Sequence, residues 1–201
     1  MNKLIILFIV LSSFMLNGCA PMHVHGATDK MNELPMTTVV EPQSDKALII
    51  LMRPVGSAYR QMSTVFDVTN DEIKLIGILP NMKKIAYNVE PGQYTFMVLG
   101  ESTDYMAADV EAGKTYYARV VQRMGMIKAR FSLLPIHKAE LDSEEAKEWL
   151  KETQYVEATP TTHAWYERHK ESVVNKHVVN YEKWKAKSVG HRPTLVKEDG
   201  V

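Results

Sequence analysis

Between Lys46 and Leu134 the chain is cut into short apolar or alternating runs, with turn residues about every eight to twelve positions. No other feature limits the possible folds as strongly. The run Ala47-Leu48-Ile49-Ile50-Leu51-Met52 is unbroken and closes at Arg53-Pro54, as in a strand covered on both faces. Runs over 64–68 and 73–78 flank the turn cluster Thr69-Asn70-Asp71, and 84–89 follows the break at Pro80-Asn81. Further runs cover 93–99, 105–110, 115–122 and 127–134. About eight short strands in this rhythm predict a mainly β fold. The expected form is a seven- to eight-stranded antiparallel β-sandwich over 46–135, transthyretin- or immunoglobulin-like, with C-terminal α-helices.

Two of the turns share a motif, Val89-Glu90-Pro91-Gly92-Gln93 and Val110-Glu111-Ala112-Gly113-Lys114. In the first, Pro91 presets φ and Gly92 supplies positive φ, the pattern of a type II turn. Gly113 plays the same part in the second, without the proline. After each turn the side chains alternate, with Tyr94, Phe96 and Val98 on one face, then Tyr116, Ala118 and Val120. A phosphate-cradling loop needs several glycines leading into a helix. Here one glycine leads into a strand, so Pro91, Gly92 and Gly113 are structural turn residues.

Ile73-x-x-Ile76-Gly77-x-Leu79, the Val89-x-Pro91-Gly92-x-Tyr94 turn and Glu111-Ala112-Gly113-Lys114-Thr115-Tyr116-Tyr117 resemble a proteobacterial lipoprotein domain, the domain-of-unknown-function 2846 family. A PEGA-like sandwich is looser kin. The resemblance covers about residues 46 to 135. Its motifs are turn and strand residues, so it implies a fold and carries no catalytic residues.

Beyond Pro135 the period changes. Asp142-Ser143-Glu144-Glu145 resembles a capping box and opens a short helix over 146–153. Thr159-Pro160-Thr161-Thr162 offers a second N-cap, and 163–187 is the longest helical segment. On it Tyr166, Val173, Val174, Val178, Tyr181 and Trp184 fall on one stripe, with Arg168, Asn175, Lys176 and Lys183 opposite. Strands 47–52 and 116–121 are apolar on both faces, so the stripe is expected to cover the sandwich; the rival reading is a helix docking on a partner or the bilayer. The extension spans 136–187, and the tail 188–201 reads as extended or loosely docked.

At the other end, Lys3 precedes an apolar run from Leu4 to Leu16. That run is shorter than the roughly 20 residues a membrane-spanning helix requires, and reads as a secretory signal over 1–18. It ends in Leu16-Asn17-Gly18-Cys19, which resembles the bacterial lipobox. The resemblance implies cleavage between Gly18 and Cys19 and lipidation of Cys19, the single cysteine of the chain. Two or more acyl chains anchor stably, at about 0.8 kcal/mol per buried methylene. Residue 20 is Ala rather than the Asp that resembles an inner-membrane retention signal, so outer-membrane delivery with a periplasmic body is expected. Residues 19–45 then read as the lipidated cysteine and a flexible tether, with His23 and His25 on it and no third metal ligand nearby.

Lys plus Arg and Asp plus Glu are 24 each, so no global field points to nucleic acid. His163, His169, His177 and His191 lack the i,i+3 or i,i+4 spacing of a helical metal pair, and neither metal nor cofactor is expected. Arg119, Arg123, Lys128 and Arg130 could face an anion, though charges on the solvent side of strands also block aggregation. The methionines Met62, Met82, Met97, Met106, Met124 and Met126 are scattered and read as gap-fillers. No spacing ties a nucleophile to a base, which disfavours a hydrolase. Two other classes of function stand open. One is a non-enzymatic binding or scaffolding module, anchored in the membrane through Cys19 and meeting other envelope proteins. The other is a solute- or glycan-binding sandwich, which needs an exposed aromatic platform; Tyr59, Tyr105 and Tyr117 are its candidates.

Overall fold

The computed structural model describes residues 30–54, 61–125 and 129–201. The chain is mainly β; its described residues form two sheets, of six and five strands, and two α-helices. In chain order the elements are β1 (Met31–Glu33), β2 (Ala47–Arg53), β3 (Ser63–Asp67), β4 (Lys74–Leu79), β5 (Lys83–Val89), β6 (Gly92–Leu99), β7 (Thr103–Val110), β8 (Thr115–Arg123) and β9 (Arg130–Ile136). Then come α1 (Glu144–Glu152), β10 (Gln154–Ala158), α2 (Pro160–Lys185) and β11 (Thr194–Leu195). One sheet runs β1-β10-β5-β2-β8-β9, and the other runs β11-β7-β6-β3-β4.

One apolar core draws on both sheets. Ile49 and Leu51 of β2, Tyr116 and Val120 of β8 and Phe131 and Leu133 of β9 join Val65 of β3, Phe96 and Val98 of β6 and Met106 of β7. The period-2 alternation along each strand places these side chains on one face. All seven residues of β2 are buried, as its unbroken apolar run predicts.

The helix over β2 is not the expected one. Leu48, Ile50 and Met52 pack with Ala146 and Trp149 of α1. The Arg119 guanidinium lies 4.5 Å from the Trp149 ring. Helix α2 covers the five-stranded sheet instead, through Phe66, Val68, Met97, Leu99 and Tyr105. Pattern alone shows that a strand needs a second cover, but not which helix supplies it.

Six strand pairings are antiparallel. Three are parallel: β2 with β8, β5 with β10 and β7 with β11. Parallel neighbours need a crossover rather than a hairpin. Long connections, one carrying α1 and another carrying α2, bring β10 and β11 in this way.

Both chain ends depart from expectation. The stretch expected as free tether enters the fold midway along its length, since β1 pairs with β10 and Met31 is 3% exposed in the shared core. Met31 Sδ accepts from Ile78 N at 3.4 Å and from Thr162 Oγ1 at 3.5 Å. The hydroxyls of Thr159 and Thr162, at the start of α2, donate to the Lys30 carbonyl. The tail is equally fixed. Leu195 is fully buried, and Thr115 and Val201 exchange two backbone hydrogen bonds. A hydropathy reading misses both because each segment holds only one strongly buried apolar side chain among polar neighbours.

The two glycine turns differ in detail. Gly113 has φ 71°, the value of a type II-like position, whereas Gly92 has φ 148° and opens β6 as its first residue. Helix α1 is capped by Ser143, whose hydroxyl accepts from Ala146 N, and Thr159 caps α2 in a reciprocal box with Thr162.

Candidate functional site

Helix α2 lies on part of the outer face of the five-stranded sheet. Its buried side chains are Thr162, Tyr166, Val173, His177 and Trp184. Of the stripe expected from the sequence, Val174 and Val178 face solvent, Val178 at 61% exposure, while His177 takes an inward place. An intervening histidine is read as polar by hydropathy, yet its position on the wheel points at the sheet. Tyr166 meets Phe66 at 5.6 Å between centroids. Tyr105 meets His177, Tyr181 and Trp184 at 5.7, 5.1 and 5.7 Å.

The Tyr105 hydroxyl inside this contact is matched, while the Trp184 indole Nε1 is buried without an acceptor among the described residues. The Tyr105 hydroxyl donates to the His177 carbonyl at 3.3 Å and lies 3.3 Å from His177 Nδ1 and 3.0 Å from Thr103 Oγ1. Burial pushes the Tyr105 phenol up to about 12. Burial also lowers the His177 imidazole, Asp71 opposing this and Lys185 reinforcing it. The interface is therefore neutral around pH 7.

Two clefts flank this packing. One, of about 650 Å³, runs between the Thr69–Asp71 turn and α2, over Ile73, Tyr166, Val174 and Val178. The other, of about 690 Å³, lies between the same turn, β6, β7, the end of α2 and the segment 189–196. Asp71, Tyr181 and Lys185 border both. The shared wall is a strained turn. Asn70 and Asp71 have φ of 56° and 60°, a conformation that costs an L-residue roughly 1–2 kcal/mol. Asp67 holds it in place: its carboxylate accepts from Thr69 N at 2.9 Å, from the Thr69 hydroxyl and from Tyr87 OH at 3.2 Å. The Thr69 hydroxyl oxygen in turn accepts from Thr95 N at 3.1 Å.

Cations around the second cleft have partners. Lys185 Nζ is 2.6 Å from Glu182 and 4.8 Å from the Tyr181 ring centre. The Arg192 guanidinium lies 5.2 Å from the Trp184 ring centre and donates to the carbonyls of Lys187 and Lys185, capping the end of α2.

The residues singled out from the sequence do not converge. Tyr105 is 1% exposed beneath α2 and so offers no platform. Tyr117 is half-buried on the other sheet, against the cluster of α1 and β2. Tyr59 lies outside the described residues, as do Gly18, Cys19, His23, His25 and Lys128. Pro91, Gly92 and Gly113 mark turns and line neither cleft, although Gly92 directly precedes Gln93 of the second. Arg123 pairs with Asp104 at 3.2 Å and Arg130 with Glu101 at 3.0 Å, while Arg119 lies on Trp149, so these arginines form no common anion face. His163, His169 and His191 are exposed, and His169 stacks on Trp165 at 4.7 Å. Among the described residues no group of three or more His, Cys, Asp or Glu side chains could hold a metal ion.

Sequence reasoning missed the second cleft because its walls come from five separate segments. The one legible signal was the Thr69-Asn70-Asp71 turn. Comparison with known proteins adds no relative: no family model matches the chain, and no curated protein matches it.

Proposed function

We propose that this chain is an envelope lipoprotein, lipidated on Cys19 after cleavage at Gly18, with its body held in the periplasm at the outer membrane as a non-enzymatic binding or scaffolding module. The segment Leu4–Leu16 followed by Leu16-Asn17-Gly18-Cys19 carries this reading. Among the described residues no helix is long and apolar enough to cross a membrane. The two sheets and their shared core are consistent with a transthyretin- or immunoglobulin-like sandwich, and the turn and strand motifs with membership of the domain-of-unknown-function 2846 family.

The docked β1 bears on this reading. Eleven positions separate Cys19 from Lys30, whose carbonyl the start of α2 holds, and eleven residues reach at most about 36–40 Å. A lipidated Cys19 thus keeps the body close to the headgroups, where it meets other envelope proteins. The test is Cys19→Ser, followed by labelled-palmitate incorporation and membrane fractionation. Label and membrane association should both be lost; a variant that keeps its label refutes the anchor.

A second reading, a solute- or glycan-binding module, is favoured by one observation. The cleft of about 690 Å³ combines aromatic walls with side-chain amide, hydroxyl and carboxylate groups. Small-molecule sites are concave, about 300–1,000 Å³, with a few placed polar groups.

A further inference from the structure

The outer face of the five-stranded sheet changes character along its strands. Met97 of β6 and Tyr105 of β7 face each other in register, and α2 covers them. Two rungs further on the pair is Gln93 and Asp109, with Thr95, Ala107 and Thr194 in register between. Here the helix has ended, and the polar half of the face forms the floor of the larger cleft. Small side chains in the middle rung make the hollow; larger polar ones rim it.

Trp184 borders this cleft at 5% exposure, and its indole Nε1 is buried without an acceptor among the described residues. A ligand in the cleft would lie beside this ring without reaching the enclosed N–H. Its chemistry follows from the charges. Asp71 and Asp109 are balanced by Lys185 and Arg192, and both cations already have partners, so an anion finds no unengaged charge to bind. Lys197 Nζ stands 3.9 Å from Asp109. A purely apolar ligand would leave Gln93 and Asp109 unmatched. What remains is an uncharged molecule dense in hydroxyls, with a carbon skeleton to lie against Tyr181.

We propose that this cleft binds a neutral saccharide of about two or three units, a size in keeping with a site of this volume, held by Gln93, Asp109 and Thr194 with the Trp184 ring at its border. The proposal rests on the solute- or glycan-binding reading and gives it a site and a ligand class. It does not depend on the lipid anchor.

The test uses the full chain, in a detergent without sugar headgroups, with 15N-labelled tryptophan. The chain has 3 tryptophans, Trp149, Trp165 and Trp184, so each indole signal is assignable. Chitobiose, cellobiose and maltotriose are titrated, with trialanine and inorganic phosphate as controls. At least one saccharide should move the Trp184 signal saturably and leave Trp149 in place. Gln93→Ala and Asp109→Ala, both at solvent-facing positions and checked for folding by circular dichroism, should each weaken binding about five- to tenfold. A saccharide that binds without moving Trp184 overturns this site but keeps the glycan reading. A shift with trialanine or phosphate and none with sugar overturns the ligand class. Absence of any binding, or binding unaltered in both variants, overturns the proposal.

Discussion

A valine at position 113 would have to adopt φ 71°, where a β-branched side chain is strained. Gly113→Val is expected to destabilise by about 1–3 kcal/mol, read from the shift of a urea midpoint, and an unmoved midpoint would show that the turn tolerates a side chain. Gly200 is fixed by contact instead: a Cβ there would stand 2.7 Å from Tyr116 Cζ and 2.6 Å from Lys114 Cδ, and Tyr116 is fully buried. Its neighbour Asp199 carries charge into the same corner. Burial pushes its carboxyl up, but hydrogen bonds from Val196 N–H, His137 and Lys138 N–H outweigh this and hold it below the ordinary carboxylate range. The folded state therefore favours the charged form. The stabilisation is present above the unfolded value of about 4 and is lost as pH falls through the lower folded value. Asp199→Asn should lower stability at pH 7 by on the order of 1–3 kcal/mol and flatten the loss below pH 4, as followed by thermal melts at stepped pH. The glycine of each repeated turn was legible because only a positive φ explains it. The burial of Tyr105 was not, since an outward strand position looks alike whether or not a helix lies over it.

At the scale of elements, α2 is the informative case. Its contacts with Phe66, Met97 and Tyr105 make it a cover, and truncating a buried aromatic costs about 3–5 kcal/mol. Trp184→Ala should lower the melting temperature and expose apolar surface to dye. Full stability with loss of a cellular crosslink would make α2 a partner site instead. His177 gives the same packing a pH dependence. Its folded-state affinity for protons is depressed by burial, so the unfolded chain takes up the proton first. Stability should fall as pH drops below about 6.5, and His177→Gln should remove most of that slope between pH 7 and pH 5. The stripe was legible through its 3.6-residue period, apart from the exchange of His177 for Val174 and Val178. Which sheet it covers depends on where the chain reverses, and periodicity carries no such information.

For the whole molecule, both ends of the described chain are part of the body. A chain ending at Arg192 loses buried Leu195, the Asp199 hydrogen bonds and the pairing of Val201 with Thr115. It should be less stable by at least about 3 kcal/mol in urea unfolding, and an unchanged midpoint would make the tail dispensable. The candidate cleft is likewise a property of the whole: β6, β7, the Thr69–Asp71 turn, α2 and the segment 189–196 meet only after the sheet has formed.

The sequence by itself determined the mainly β character, the positions of eight strands, the two helices and the glycine turns. Each of these rests on local period or on the φ that one residue permits, and both are written along the chain. The tertiary structure alone decided the six-and-five division of strands, the parallel pairings, the docking of β1 and β11, and the division of cover between α1 and α2. Those outcomes depend on which apolar faces find each other across long sequence separations. A single buried methionine at Met31, or one leucine at Leu195, settles them through contacts that no window of neighbouring residues contains.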